Sequence, residues 1–197
     1  MAGWKTTQTG LLAPGTPGQY GPALARKVCL LGDPAVGKSS LVQRMAGRRF
    51  SELYVTTVGA SVLKKTVTVR PAGAAADVRV ALMIWEINGH LPPSVVQPFL
   101  YGTDAAIVVA DAARLDTQID LWKWIEAARS HRGAIPVTVL VNKADIMEPG
   151  FDHELVADLS GEYRCTCRLA SARTGRNVDS LLHEVAARLA IQSGRCG

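Results

Sequence analysis

The eight residues GDPAVGKS, Gly32 to Ser39, set two glycines, a lysine and a serine at the spacing G-x-x-x-x-G-K-S. An apolar run precedes them and a helically spaced segment follows, the context in which this spacing cradles phosphate. The backbone of Asp33, Pro34, Ala35, Val36 and Gly37 wraps so that N–H groups meet phosphate oxygens at the positive end of a helix. Lys38 supplies a point charge for the β- and γ-phosphates, Ser39 a hard hydroxyl ligand for Mg²⁺, and Ser40 continues the cradle into the helix. These residues predict a bound nucleoside triphosphate without choosing its base.

The base is chosen further along. NKAD, Asn142 to Asp145, leaves the end of an apolar run. A carboxylate at Asp145 accepts two parallel hydrogen bonds from the N1–H and exocyclic amine of guanine. Adenine offers an acceptor in place of that N1–H and would leave the carboxylate buried and unpaired. Asn142 and Lys143 accompany it. SAR, Ser171 to Arg173, follows the last apolar run, where the Ala172 N–H can meet the guanine carbonyl oxygen. The three stretches together turn the first one away from ATPase or kinase chemistry and toward GTP or GDP.

Such distant stretches need a scaffold that brings them to one rim. RKVCLLG (26–32) reads as a buried strand entering the first loop, and KSSLVQRMAG as the helix leaving it. ASVLKKTVTVR and DVRVALMIW alternate as strands around PAGAAA, as a hairpin would. DAAIVVADA, IPVTVLVNKAD and CTCRLASA read as further strands. QIDLWKWIEAARSH, DHELVADLSGEY and NVDSLLHEVAARLAIQS read as helices. Strands apolar on both faces and alternating with helices predict a parallel α/β sheet covered on both sides. Ligands of such sheets sit at the carboxyl ends of the strands. The informative loops then follow Leu31, Trp85, Val109, Val141 and Leu169, and the one after Val109, ADAARLD, offers nothing assignable.

The chain has 197 residues, 48% hydrophobic and 20% charged, which fits one globular domain. No apolar run approaches the roughly 20 residues of a membrane-spanning helix. The first 25 residues, rich in Gly, Pro and Thr, are expected to form a flexible tail with no apolar stretch of signal-peptide length. The net charge of +5 is scattered, so no nucleic-acid partner is expected beyond the nucleotide itself. Four cysteines without metal-like spacing suit a reducing compartment, and a cytoplasmic location is expected. SGRCG at the end is no C-a-a-X box and Ala2 is not the glycine that myristoylation needs, which leaves membrane attachment unassigned. Trp122 and Trp124, two apart on one helix, cannot both share its buried stripe.

In this order and spacing the chain resembles the Ras superfamily of small GTPases, most closely its Rab-like branch, through GDPAVGKSSL, YVTTVG, NKAD and SARTGRNV. The resemblance covers about residues 26 to 193. It implies a three-layer P-loop G domain, α/β, whose six-stranded, mostly parallel sheet has an antiparallel second strand and five helices. Residues 1–25 and 194–197 are then tails. By position it also implies that Phe50 packs edge-on against guanine and that Tyr54 closes over the phosphates. Thr57, with the register fixed by Val58-Gly59 against its neighbour Thr56, would ligate Mg²⁺ and sense the γ-phosphate, which the Gly89 N–H would touch. GTP or GDP and Mg²⁺ are the implied ligands. The implied partners of this monomer are an effector protein reading the switches, with exchange and activating factors.

One stretch departs from the family. WEINGH, Trp85 to His90, stands where the pattern is W-D-T-A-G-Q, so Glu86 replaces Asp and His90 replaces Gln. The extra methylene pushes the carboxylate forward by about 1.5 Å. Glu86 must bend away, displace a Mg²⁺-bound water and bind the metal directly, or weaken the site. His90 carries its donor and acceptor on different edges of a rigid ring, so it poorly replaces a side chain that contacts water and phosphoryl at one point. Pro92 and Pro93 stiffen the following chain, and Pro34 stands where an arginine finger would approach. The expectation is a GTP/GDP switch with slow hydrolysis, its catalytic groups Lys38, Gly89 and His90. The alternative is a nucleotide-locked scaffold that only binds.

Overall fold

The computed structural model describes residues 23–47, 54–57, 59–71, 76–130, 135–147, 157–158 and 161–194, with backbone alone for 54–57 and for Pro93. Its centre is built from strands too apolar to face water. In β5 (Ala105–Asp111) and β6 (Val137–Asn142) every residue is buried, and β1 (Leu24–Gly32) is buried over its second half. Side chains alternate across a strand, so each strand feeds two cores. Val28, Leu30, Ile107, Val109 and Leu140 face one, and Cys29, Leu31, Val108, Val139 and Val141 face the other.

Helices close both faces. α1 (Lys38–Ala46) and α5 (Val178–Gly194) cover the first core with Leu41, Val42, Met45, Leu181 and Val185. α2 (Pro93–Leu100) and α4 (Leu121–Arg129) cover the second with Val96, Leu100, Leu121 and Ile125. Each large aliphatic side chain so buried contributes about 1.5–3 kcal/mol, which makes the sheet a stiff base for the loops at its rim. A short α3 (Leu115–Ile119) precedes α4. Trp124 packs into the second core while Trp122 is 44% exposed, the division expected of two residues so spaced.

The remaining strands are β2 (Tyr54–Thr57), β3 (Ala60–Val69), β4 (Val78–Ile87) and β7 (Thr166–Leu169), and the sheet order is β2-β3-β4-β1-β5-β6-β7. β3 runs antiparallel to β4, while β4, β1, β5, β6 and β7 are parallel neighbours. The six expected strands and the antiparallel second one are therefore present. A seventh, β2, extends the sheet: Tyr54–Thr57 pairs antiparallel with β3 across a turn at Gly59, whose φ is 92°. Aromatic and β-branched residues favour that pairing. β1 also begins at Leu24 rather than at 26.

One further element differs from expectation. Pro92 and Pro93 do not simply stiffen a loop: Pro92 is the N-cap and Pro93 the first residue of α2, where a missing N–H costs nothing and the fixed φ suits the helix. Of the helix expected over 152–163, residues 157–158 and 161–162 are helical, Tyr163 lies in a turn, and the rest lies outside the described residues. Among the described residues no helix is long and apolar enough to cross a membrane.

The chain leaves β1 toward β3 and β4 on one side, then crosses to β5 on the other. Strand order thus reverses at β1, and the crevice beyond its carboxyl end is where a doubly wound sheet takes its ligand.

Candidate functional site

The loop leaving β1 folds around a buried ammonium. Ala35 and Gly37 have φ of 61° and 95°, the left-handed positions that gather successive N–H groups into an anion-sized concavity. A Cβ on Gly37 would lie 2.4 Å from Asn142 Nδ2, so the glycine also lets β6 approach. Lys38 Nζ donates to the carbonyls of Gly32 and Asp33, each at 2.8 Å. Burial pushes the Lys38 pKa from 10.5 down to about 8, against the pull of Glu86 and Asp33. The Asp33 carboxylate turns away from the loop, accepting from Trp124 Nε1 at 3.0 Å and pairing with Lys123 Nζ at 2.9 Å. Any phosphate contact of Asp33 is left to its backbone. Pro34 has no N–H to offer, and its carbonyl accepts from Arg114 Nη1 at 3.1 Å.

Ser39 and Ser40 open α1, and beside Ser39 stands the carboxylate of Glu86 at the end of β4. The Ser39 hydroxyl donates to one Glu86 oxygen, and Ser61 on β3 donates to the other at 2.9 Å. These groups line a cavity of about 660 Å³ together with Pro34, Ala35, Lys38, Gly89 and His90. A hydroxyl and a carboxylate side by side are hard oxygen donors, and so few of them suit Mg²⁺, which takes one or two protein oxygens and completes its shell with water and phosphate. The residues present fit that ion. Gly89 lies hard against the loop: a Cβ there would sit 2.4 Å from the Gly32 carbonyl oxygen and 2.9 Å from Lys38 Nζ. His90 is exposed at the rim, its backbone N–H donating to Asn88 Oδ1 at 3.0 Å. For Tyr54 and Thr57 the backbone runs in β2 and the side chains lie outside the described residues, as does all of Phe50.

A second cavity, of about 540 Å³, is lined by Gly37, Ser40, Arg44, Asn142, Lys143, Asp145, Ala172 and Arg173. Asn142 is its tie. Nδ2 donates to the Val36 carbonyl at 2.9 Å and Oδ1 accepts the Ala172 N–H at 3.0 Å, so one buried amide joins three loops. The Ala172 N–H that the sequence reading gave to guanine is therefore engaged by Asn142. Ser171 Oγ donates to Asp145 Oδ1 at 2.5 Å, and Arg173 Nη1 lies 3.7 Å from the other oxygen. The Ser171 bond first, and Arg173 after it, hold the Asp145 carboxyl below the usual carboxylate range. Asp145 is thus an acceptor at neutral pH. Lys143, at φ 63°, lines both cavities and pairs with Asp111 Oδ2 at 2.6 Å.

Sequence reasoning missed the loop after β5. Asp111, buried at the strand end, holds Lys143, and Arg114 holds Pro34. The available signal was an acid closing an otherwise apolar strand. Arg44 was also missed: its guanidinium donates from Nε to the Ala172 carbonyl at 2.8 Å and from Nη2 to that of Arg173, bracing the third loop from α1.

A phosphate-loop sequence at the switch point of this sheet defines the class, a P-loop nucleotide-binding domain. The family model described as Ras of Complex, Roc, domain of DAPkinase matches residues 27–145. Over 169 residues the chain is 32% identical to the Ras-related protein Rab5A of Oryza sativa subsp. japonica, an overlap of 83% of this chain and 79% of that relative. The chain belongs to the Ras superfamily of small GTPases.

Proposed function

We propose that this protein is a GTP/GDP switch that hydrolyses GTP slowly and signals by binding partners through its switch segments. The observation that carries the reading is that the two cavities adjoin, sharing Gly37, Ser40 and Lys143. One holds the buried ammonium of Lys38 and the other the ionised carboxylate of Asp145, so a ligand with a polyanionic end and a donor-bearing base spans both.

Asp145 would accept the N1–H and amine of guanine, and the Ala172 N–H would be shared between Asn142 Oδ1 and the guanine carbonyl. Lys38 would lie against the β- and γ-phosphates, whose charge favours its ammonium form. Mg²⁺, when bound through Ser39, Glu86 and Thr57, supplies neutralisation of the phosphate charge. Gly89 would meet the γ-phosphate with its backbone. His90, exposed at the rim, would position the attacking water with one ring edge at a time, which keeps turnover slow. A monomer in the cytoplasm, read by an effector protein and served by exchange and activating factors, completes the reading.

Displacement of a fluorescent GDP analogue tests it. GTP and GDP are expected to compete better than ATP by a factor of about 10³ or more, as a site built on donor–acceptor matching discriminates. Equal competition by ATP would overturn the reading. A second reading, a scaffold without turnover, is favoured by Glu86, whose two oxygens are each held by a serine. Such a scaffold would bind its partner alike in the GDP and GTP-analogue states.

A further inference from the structure

We propose that Ser61 is a positioning residue for the metal-facing carboxylate, built on the strand opposite to hold a side chain that is one carbon too long. The inference rests on the nucleotide-and-Mg²⁺ reading above.

Ser61 and Glu86 are direct partners in the antiparallel β3–β4 ladder, so their side chains stand on one face of the sheet. Ser61 is 6% exposed, and its hydroxyl donates to Glu86 Oε2 at 2.9 Å, while Ser39 donates to Oε1. The carboxylate is thus pinned at both oxygens, one from the helix that begins the phosphate loop's far side and one from the neighbouring strand. A glutamate has one more rotatable bond than an aspartate, and a carboxylate free to sweep is a poor partner for an ion that demands near-octahedral geometry. Ser61 removes that freedom. It also draws the carboxylate back toward β3, which offsets the forward reach of the extra methylene. Ser61 is buried and lines the same cavity as Ser39 and Glu86, so its hydroxyl stands among the groups that would face the ion. An aspartate at 86 has one rotatable bond fewer, so Ser61 would have less freedom there to remove. The serine and the glutamate therefore work as a pair.

The test is the free Mg²⁺ concentration at which the full chain retains half of its fluorescent GDP, measured for wild type, Ser61→Ala, Ser61→Thr, Glu86→Asp and the double variant Ser61→Ala with Glu86→Asp. Loss of a hydrogen bond to a charged group should raise the midpoint about fivefold to tenfold in Ser61→Ala. Ser61→Thr, which keeps the hydroxyl, should stay within about twofold of wild type, and Ser61→Ala should add nothing on the Glu86→Asp background. Melting of the metal- and nucleotide-free Ser61→Ala protein should stay within about 3 °C of wild type. A Ser61→Ala midpoint equal to wild type would overturn the inference, and so would an equal shift in both backgrounds accompanied by a lowered melting temperature. Wild type that retains no GDP at any Mg²⁺ concentration would overturn the nucleotide reading and this inference with it. Retention that responds to Mg²⁺ but not to Ser61 would overturn this inference alone.

Discussion

The cavity around Asp145 and the cavity around Glu86, proposed for the base and for the phosphates, are built on different terms. Around Asp145 the structure is a closed network: Ser171 and Arg173 hold the carboxylate, Asn142 ties the third loop to the phosphate loop, and Arg44 braces it from α1. Around Glu86 and His90 the same fold carries a longer acid pinned by two serines and an imidazole exposed at the rim. On the proposed reading, recognition of the base would rest on preorganised contacts, while the groups nearest the reacting phosphate would be those that depart from the family pattern. The two cavities are held by different strands and joined mainly through Gly37, Ser40 and Lys143, so as halves of the proposed ligand site they could be tuned apart.

The sharpest way to break this contrast is Asp145→Ala. Two hydrogen bonds to a charged acceptor are lost, so GDP affinity should fall by about 10³, with ADP affinity unchanged in the same competition assay. An equal loss for both nucleotides would mean that the base-side network is structural only. On the phosphate side, Gly89→Ala forces a Cβ within 2.4 Å of the Gly32 carbonyl oxygen. It should destabilise the nucleotide-free protein by about 1–3 kcal/mol, read from urea unfolding.

Lys38 gives the contrast a pH signature. Its pKa is lowered from 10.5 to about 8, so between those values the unfolded chain binds the proton and the folded one does not. The stability of the nucleotide-free protein should therefore rise as pH increases from about 8 toward 10.5, the burial penalty being fully present below 8. Nucleotide binding runs the other way. Phosphate favours the ammonium, so GDP affinity should fall above pH 8 by at most about tenfold per pH unit, and calorimetry in two buffers should show proton uptake on binding. Lys38→Met should flatten both profiles. The smallest effect is expected for Trp124→Phe, which removes the 3.0 Å bond to Asp33 while Lys123 still pairs with it. A loss of about 1 kcal/mol in chemical unfolding is expected, with GDP affinity unchanged.

What could be read in advance follows the same divide. Gly32–Ser39, Asn142–Asp145 and Ser171–Arg173 are local stretches in which residue type and backbone geometry sit side by side, so their spacing shows their placement. The β1, β5 and β6 runs were legible because burial on both faces leaves no polar alternation. The partners of Glu86, Pro34 and Lys143 were not legible. Ser61, Arg114 and Asp111 reach them across strand registers and loop crossings that only the folded sheet creates. β2 and α2 were hidden for another reason: Tyr54–Thr57 is too short to show a period, and Pro92–Pro93 signals a loop as readily as a helix start.

The most direct test of the central claim, an intact guanine site joined to a weakened catalytic switch, is single-turnover GTP hydrolysis in excess Mg²⁺, comparing wild type with His90→Gln. Slow turnover in wild type, quickened about tenfold or more in His90→Gln with GDP affinity unchanged, is the expected result. Hydrolysis by wild type as fast as by the variant would contradict it and place the water under some group other than His90.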